Sequence, residues 1–548
     1  MVRTDNPNSW STALRWLDDC VTSHGKCQNV LVDPTWMPTR LIEIDSCGKH
    51  IKIVETAKIP GRERYLTLSH CWGGKAPVLL TPETYKEYTD VGLEVSSLSK
   101  TFRDAISVTQ RLGTRFLWID SLCIIQGSDE DWKREAPLMN QVYQNTYCNI
   151  AALGAHDSTG GLFFERAENF VEPTTISMRF ESGLGSDWNF DLEDRDAFHI
   201  DLHQARLCQR GWVVQERILS PRILYFGRQQ LFWECRECVR CETVCTATTR
   251  PLPSYRITTM ESFIADWYQI SSLYSKTKLS FSSDRMIAIA GVAKHFADLS
   301  GMSYVVGMWA QNLPRELVWF STTPGVPVAR TLDAPPGEEP YIGSSWSWLS
   351  INSAVNCTAI RAPNGMVIAE VIGACWMTLH PTSDVSGSKK RTNPSYGWYF
   401  KGRREATDLS AVLDASWGAM PVLKVNCHLC RLSTLIDETG TSRIKLGPRL
   451  VNGILYPDFV YGGQLDGFFM PVTVSKGPAA HVWGLILRRY DLQVGAYVRV
   501  GAARFQWDVL YSTLCVVGHD RTISCQESRV ESYESIQADR ISYVIHLW

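Results

Sequence analysis

The sequence predicts an α/β fold with a parallel sheet in the N-terminal domain, then a helical segment and a mostly β C-terminal region. Three observations predict it. Strand and helix patterns alternate compactly from Tyr65 to Leu153, helical spacing of apolar residues marks 251–320, and short apolar runs alternate with Gly, Pro, Asn and Asp turns from Tyr341 onward. At about 100 to 200 residues per domain, the 548 residues divide into a lead-in (1–60), an α/β domain (61–250), a helical connecting region (251–335) and a β-rich domain (336–548).

In chain order, a short amphipathic helix is expected around Trp10 to Cys20, followed by a polar connection. Tyr65 to Ser69 is a β-favouring run that stops at His70-Cys71-Trp72-Gly73-Gly74, where glycines permit a sharp turn. Phe102, Ala105, Ile106, Thr109 and Leu112 recur at helical spacing, with Ser99 or Thr101 as a cap and Gly113 as a terminator. Phe116 to Ile119 then reads as a buried strand that ends at Asp120-Ser121-Leu122-Cys123. Strand, helix and strand make a βαβ unit, whose strands are parallel and end on the same sheet edge. Open α/β sheets bind ligands at that edge, which brings His70, Cys71 and Trp72 towards Asp120 and Cys123.

The next helix admits two registers: it starts near Asp129 after a Ser128 cap, or Pro137 occupies its first turn. Both leave Glu135 near the sheet edge. Cys148 to Leu153 reads as a third strand, and a helical piece from Arg210 stops at Ser220 before Pro221. Tyr225-Phe226 and Leu231 to Cys235 form a hairpin candidate. Asp284 to Phe296 is the clearest amphipathic segment of the connecting region.

Composition excludes whole classes of function. A hydrophobic content of 45% argues against a fibre or a disordered scaffold. With 55 Lys plus Arg against 57 Asp plus Glu and no long basic run, the attraction that dominates nucleic-acid binding has no source. No apolar stretch reaches the roughly 18 residues of a membrane span, and MVRTDNPNSW lacks the apolar core of a secretory signal. The 17 cysteines are odd in number and scattered, which suits reduced thiols. A cytoplasmic protein is therefore expected. Twenty tryptophans stand out, since each supplies a large apolar area plus an N–H that needs a partner.

Several of these blocks resemble the fungal heterokaryon-incompatibility (HET) domain. The matching text is Tyr65-Leu66-Thr67-Leu68-Ser69-His70-Cys71-Trp72-Gly73, Leu98 through Gly113, Leu117 through Gln126, Met139 with Tyr143, and Arg210-Gly211-Trp212 with Gln215-Glu216-Arg217 and Leu219-Ser220. Weaker similarity continues through Ser283-Asp284-Arg285, Gly307-Met308-Trp309 and Ser345-Trp346-Ser347-Trp348. The resemblance implies a TIR-like or flavodoxin-like sheet, a role in non-self recognition or programmed cell death, an incompatibility partner protein, and NAD as a substrate by analogy with TIR enzymes. The alternatives are a scaffold recruited as an acid/base enzyme of secondary metabolism acting on a small molecule, and a non-catalytic module that binds a partner; under any of these readings a homo-oligomer is compatible with the sequence.

For NAD cleavage a carboxylate should stabilise the ribose as nicotinamide leaves, as carboxylates do in glycosidic cleavage. Glu135 is the first candidate and Asp120 the second, with Trp72 and Trp118 as aromatic walls and Gln126 beside them. The bland alternatives are a turn-capping Asp120, a solvated Glu135 and core tryptophans. His70 could serve in acid/base chemistry, because imidazole titrates near neutrality. Cys71 is adjacent on the strand and points to the opposite face, so the two cannot form a dyad. Cys123 is expected as a small buried hydrophobe, and Glu216 either joins the pocket or pairs with Arg217 or Arg222. Cys235, Cys238, Cys241 and Cys245 have the spacing of iron–sulfur or zinc ligands, though the usual following proline and a second cysteine run are missing. Cys427-His428-Leu429-Cys430 offers a further ligand pair.

Overall fold

The computed structural model describes residues 2–28, 35–73, 78–167, 196–248, 260–322 and 344–357, with strand segments between 174 and 192 and between 366 and 547. They form two compact units. The first comprises residues 1–257, 277–280 and 287–292, the second 258–276, 281–286 and 293–548.

In the first unit, helix α1 (Pro7–Ser23) starts at Asn6, whose Oδ1 accepts the amides of Asn8 and Ser9 at 2.9 and 3.1 Å. Its apolar stripe buries Trp10, Ala13, Trp16, Leu17 and Cys20. The short α2 (Gly25–Gln28) follows. Strands β1 (Arg40–Ile44) and β2 (His50–Glu55) then form an antiparallel hairpin. The stretch before residue 60 is thus part of a sheet.

Strand β3 (Tyr65–Ser69), helix α3 (Lys100–Arg111) and strand β4 (Phe116–Trp118) are a βαβ unit. Its strands pair in parallel through Tyr65↔Phe116, Leu66↔Leu117 and Thr67↔Trp118. Gly113, with φ of 74°, takes the left-handed turn after α3. Beyond β4 lie α4 (Asp120–Cys123) and α5 (Asp129–Glu135), with Ser128 Oγ accepting the Asp131 amide at 3.2 Å. Pro137 sits in the 3-10 turn Ala136–Leu138, and α6 (Met139–Asn145) restarts the helix. Proline has no amide hydrogen to continue the ladder, so the expected single helix is two.

Strand β5 (Cys148–Ala151) pairs in parallel with β3, and after α7 (Gly211–Leu219) strand β6 (Arg222–Phe226) pairs in parallel with β5. Strands β7 (Leu231–Cys235), β8 (Val239–Cys241) and β9 (Val244–Thr248) continue antiparallel. The sheet order is β9-β8-β7-β6-β5-β3-β4-β1-β2, with Leu93–Glu94 beyond β2. The sheet is therefore mixed, not wholly parallel. Hairpins need only short loops, so they extend and cover both sides of a parallel core that required crossover helices.

The second unit has an aromatic core and a β-rich body. Its strands from Glu370–Pro381 to Tyr543–Leu547 are mostly antiparallel, and Phe469, Val482, Ile486 and Phe505 pack together in the body's core. Trp267, Trp309, Trp319, Trp346 and Trp348 are all fully buried. Their N–H groups explain one local shape: Gly307, with φ of 89°, exposes a carbonyl that accepts both Trp267 and Trp348 Nε1 at 2.9 and 2.8 Å. Arg499 is also fully buried; it pairs with Asp458 at 3.0 Å, donates to the Leu317 and Trp319 carbonyls, and lies 3.4 Å from the Trp319 ring centroid.

Candidate functional site

Because β3 and β4 are adjacent and parallel, the chain leaves both strands on one edge. His70, Cys71 and Trp72 follow β3, and Asp120 opens α4 just after β4. Trp72 Nε1 donates to Asp120 Oδ2 at 2.9 Å, and the Ser121 amide donates to Oδ1 at 2.8 Å. Trp72 and Asp120 both remain partly open to solvent. Gln126 Nε2 donates to the carbonyls of Ile124 at 3.0 Å and Asp120 at 3.3 Å, closing the turn behind the carboxylate.

Beside this open pair lies a buried polar network. Thr67, Ser69 and Asn149 interrupt two apolar strand runs and lie on one face, because β3 side chains alternate and Ser69 and Asn149 are near neighbours across β3 and β5. Asn149 Nδ2 donates to Ser69 Oγ at 2.9 Å, Thr67 Oγ1 donates to Asn149 Oδ1 at 3.0 Å, and Ser69 Oγ donates to Glu216 Oε2. The Tyr143 hydroxyl faces both Ser69 and Glu216. Burial pushes the Glu216 carboxyl up to about 7; the nearby Asp120 carboxylate acts in the same direction, while Arg210 and the hydrogen bonds from Ser69 and Tyr143 oppose it. Glu216 pairs with neither arginine expected from sequence. Arg217 binds Glu234 at 2.9 and 3.0 Å, and Arg222 donates to the Tyr147 and Cys27 carbonyls. Consecutive helical residues point about 100° apart, so Glu216 reaches Ser69 on β3 while Arg217 reaches Glu234 on β7.

His70 packs edge-on against Phe102, with centroids 5.1 Å apart. Burial pushes its imidazole down to about 4, partly offset by Asp120, so the ring is neutral near pH 7. Its Nε2 is buried with no hydrogen-bond partner among the described residues, while Arg210 donates to its backbone carbonyl. Cys71 lies in an apolar cluster with Leu153, Tyr225 and Phe232, and burial pushes its thiol up. Cys123 is fully buried, with its thiol raised to about 12 by burial. Trp118 is a core residue, edge-on to Tyr143 at 5.8 Å.

Glu135 is neither solvated nor part of the network around Glu216. Its Oε1 lies 3.5 Å from Arg40 and 3.0 Å from Arg134, and Arg40 also binds Asp131 at 2.5 Å and donates to the Cys123 carbonyl at 2.8 Å. The cysteine run is divided: Cys235 and Cys238 have their sulfurs 3.8 Å apart, Cys241 packs in the apolar cluster with Cys71, and the Cys245 side chain lies outside the described residues. Cys427 and Cys430 are buried, and His428 lies outside the described residues.

Residues 65–216 match the family model described as heterokaryon incompatibility protein (HET). The segment is a HET domain. No curated protein and no solved structure matches the chain. The HET match opens on the first residue of β3 and closes on Glu216, so it contains the open pair Trp72 and Asp120 together with Ser69, His70, Tyr143, Asn149 and Arg210. Ser69, Asn149 and Arg210 were not singled out as site residues from sequence, although a polar residue inside an otherwise apolar strand is a readable signal, since a buried polar group needs a partner.

Proposed function

We propose that the HET domain is the effector of an incompatibility response and that the carboxyl edge of its parallel strands cleaves NAD, in keeping with a TIR-like reading of this part of the sheet. The observation that carries the proposal is the pair of unlike carboxyl groups at that edge: Asp120, partly open and held by Trp72 and Ser121, and Glu216, buried behind it with its affinity for a proton raised. An open carboxyl group at the ligand-binding edge of parallel strands is placed to face positive charge developing on a substrate, while the buried acid beside it holds Ser69 at the strand end.

In this reading Asp120 faces the ribose and stabilises positive charge at its anomeric carbon. The glycosidic electron pair leaves with nicotinamide, water adds to the same carbon, and a proton is released. Trp72 walls the open side. Glu216 is a positioning residue that holds Ser69 at the end of β3, and through Ser69 the Asn149 side chain of β5. Glu135 is assigned a structural part because both its neighbours are arginines.

Incubation of the purified chain with NAD tests the proposal by nicotinamide release. Asp120→Asn should abolish release, while Trp72→Phe, which removes the donor to Asp120, should reduce it by about 10-fold or more. Absence of release from the folded wild type would overturn the activity, and release that survives Asp120→Asn would overturn the site.

A further inference from the structure

A cluster of metal-binding side chains lies away from the HET edge. Cys20 at the buried face of α1, His24 at its end, Cys27 in α2 and Cys235 at the end of β7 each offer one ligand atom, and these four atoms all lie within 4.8 Å of one another. We propose that they bind one zinc ion, which fastens the N-terminal helices to the sheet.

The geometry fits the ion. A tetrahedral zinc with bonds of about 2.3 Å to sulfur and 2.0 Å to nitrogen sets neighbouring ligand atoms about 3.5 to 3.8 Å apart. Cys235 Sγ lies 3.4 Å from His24 Nδ1, and the three sulfurs of Cys20, Cys27 and Cys235 are in mutual contact. Three cysteines and one histidine are an established zinc ligand set, closed to further ligands and therefore structural.

The surroundings suit thiolates. The Cys238 amide donates to Cys235 Sγ at 3.5 Å, the Glu237 amide also faces that sulfur, and the Arg236 amide faces Cys27. Arg222 Nε donates to Cys20 Sγ at 3.3 Å. Three thiolates around a doubly charged ion leave one net negative charge, which the Arg222 guanidinium and these amides stabilise. Cys238 is the nearest further thiol, 3.8 Å from Cys235, and it stands outside the set of four.

The topology separates this site from the HET edge. Cys235 pairs with Arg222 at the start of β6, whereas Asp120 follows the end of a strand parallel to β6 through β5 and β3. The ion is therefore at the opposite edge of the same sheet, where it closes a covalent loop from Cys20 to Cys235. Coordination releases the protons of three thiols to solvent, and its free energy adds to that of folding.

Metal analysis of the full chain purified without chelator should find one zinc per chain, released when a mercurial titrates the thiols. Cobalt(II) put in its place should give the visible absorption of a tetrahedral thiolate site. Cys20→Ser and Cys27→Ser should lose the metal, with a lower Tm where the variants fold. Cys238→Ser and Cys47→Ser, the latter exposed, should keep it. A folded, metal-free wild type, zinc retained by both Cys20→Ser and Cys27→Ser, a disulfide among Cys20, Cys27 and Cys235, or iron in place of zinc would each overturn the proposal. The mercurial titration is read on the wild type, so it stands even if the serine variants fail to fold.

Discussion

Adjacent side chains in this molecule have opposite fates. Glu216 is turned onto Ser69 and Tyr143, while Arg217 binds Glu234, so a pairing that sequence proximity suggests is replaced by one that helix geometry imposes. The raised proton affinity of Glu216 has a measurable consequence. The folded state holds the proton up to about pH 7, whereas an unfolded glutamate loses it near pH 4.3. Stability contributed by the protonated group is full below the unfolded value and is lost as pH rises through the folded one. Unfolding titrations between pH 5 and 8 should therefore show wild-type stability falling with pH by up to about 3 kcal/mol from this group. Glu216→Gln should flatten that portion. His70 acts with the opposite slope: its folded value of about 4 lies below the unfolded one, so stability present above about pH 6.5 is lost as pH falls. The placement of His70, Trp72 and Asp120 at one sheet edge was legible because strand ends can be read from Gly and from the end of an apolar run. The Glu216 environment was not, because it depends on which helix face meets the sheet.

At the scale of elements, α5 is held to the sheet by charge. Arg40 at the start of β1 binds Asp131 and Glu135 on α5 and the last carbonyl of α4, all in a buried setting. Removing one partner of a buried ionic group leaves uncompensated charge, so Arg40→Met should lower the unfolding free energy by about 3 to 5 kcal/mol in urea titration. Arg134 touches the same carboxylates but is 52% exposed, and Arg134→Ala should cost less than about 1 kcal/mol. The βαβ unit, α7 ending before Pro221 and the β6–β7 hairpin were all readable from apolar periodicity and from Gly and Pro punctuation. The part played by β1 and β2 was not. A hairpin shows its own alternation in sequence, but nothing local tells it which sheet edge to join, and β1 reaches β4 across more than seventy intervening residues.

Over the whole molecule, the two units carry separate buried acids. In the second unit burial pushes the Glu316 carboxyl up to about 8, against hydrogen bonds from the Trp309 amide and Asn312. Glu216 and Glu316 share no hydrogen-bonding partner, so the stability gains of Glu216→Gln and Glu316→Gln at pH 8 should add to within about 0.5 kcal/mol in the double variant. A larger departure would show that the units respond to pH as one body. Trp267, Trp309, Trp319, Trp346 and Trp348 gather in the second unit's core, where the Gly307 carbonyl accepts two of their N–H groups and Arg499 lies over the Trp319 ring. No helix among the described residues is long and apolar enough to cross a membrane. By itself the sequence determined the alternation of strand and helix, the HET motif blocks and the edge to which His70, Trp72 and Asp120 belong, because these follow from local periodicity and from the handedness of crossovers. Only the tertiary structure decided the mixed sheet order, the burial of Glu216, the engagement of Glu135 by Arg40, and the meeting of Cys20, His24 and Cys27 with Cys235. Those depend on contacts between residues far apart in the chain, and a pairwise meeting across two hundred residues leaves no mark on the spacing of either partner.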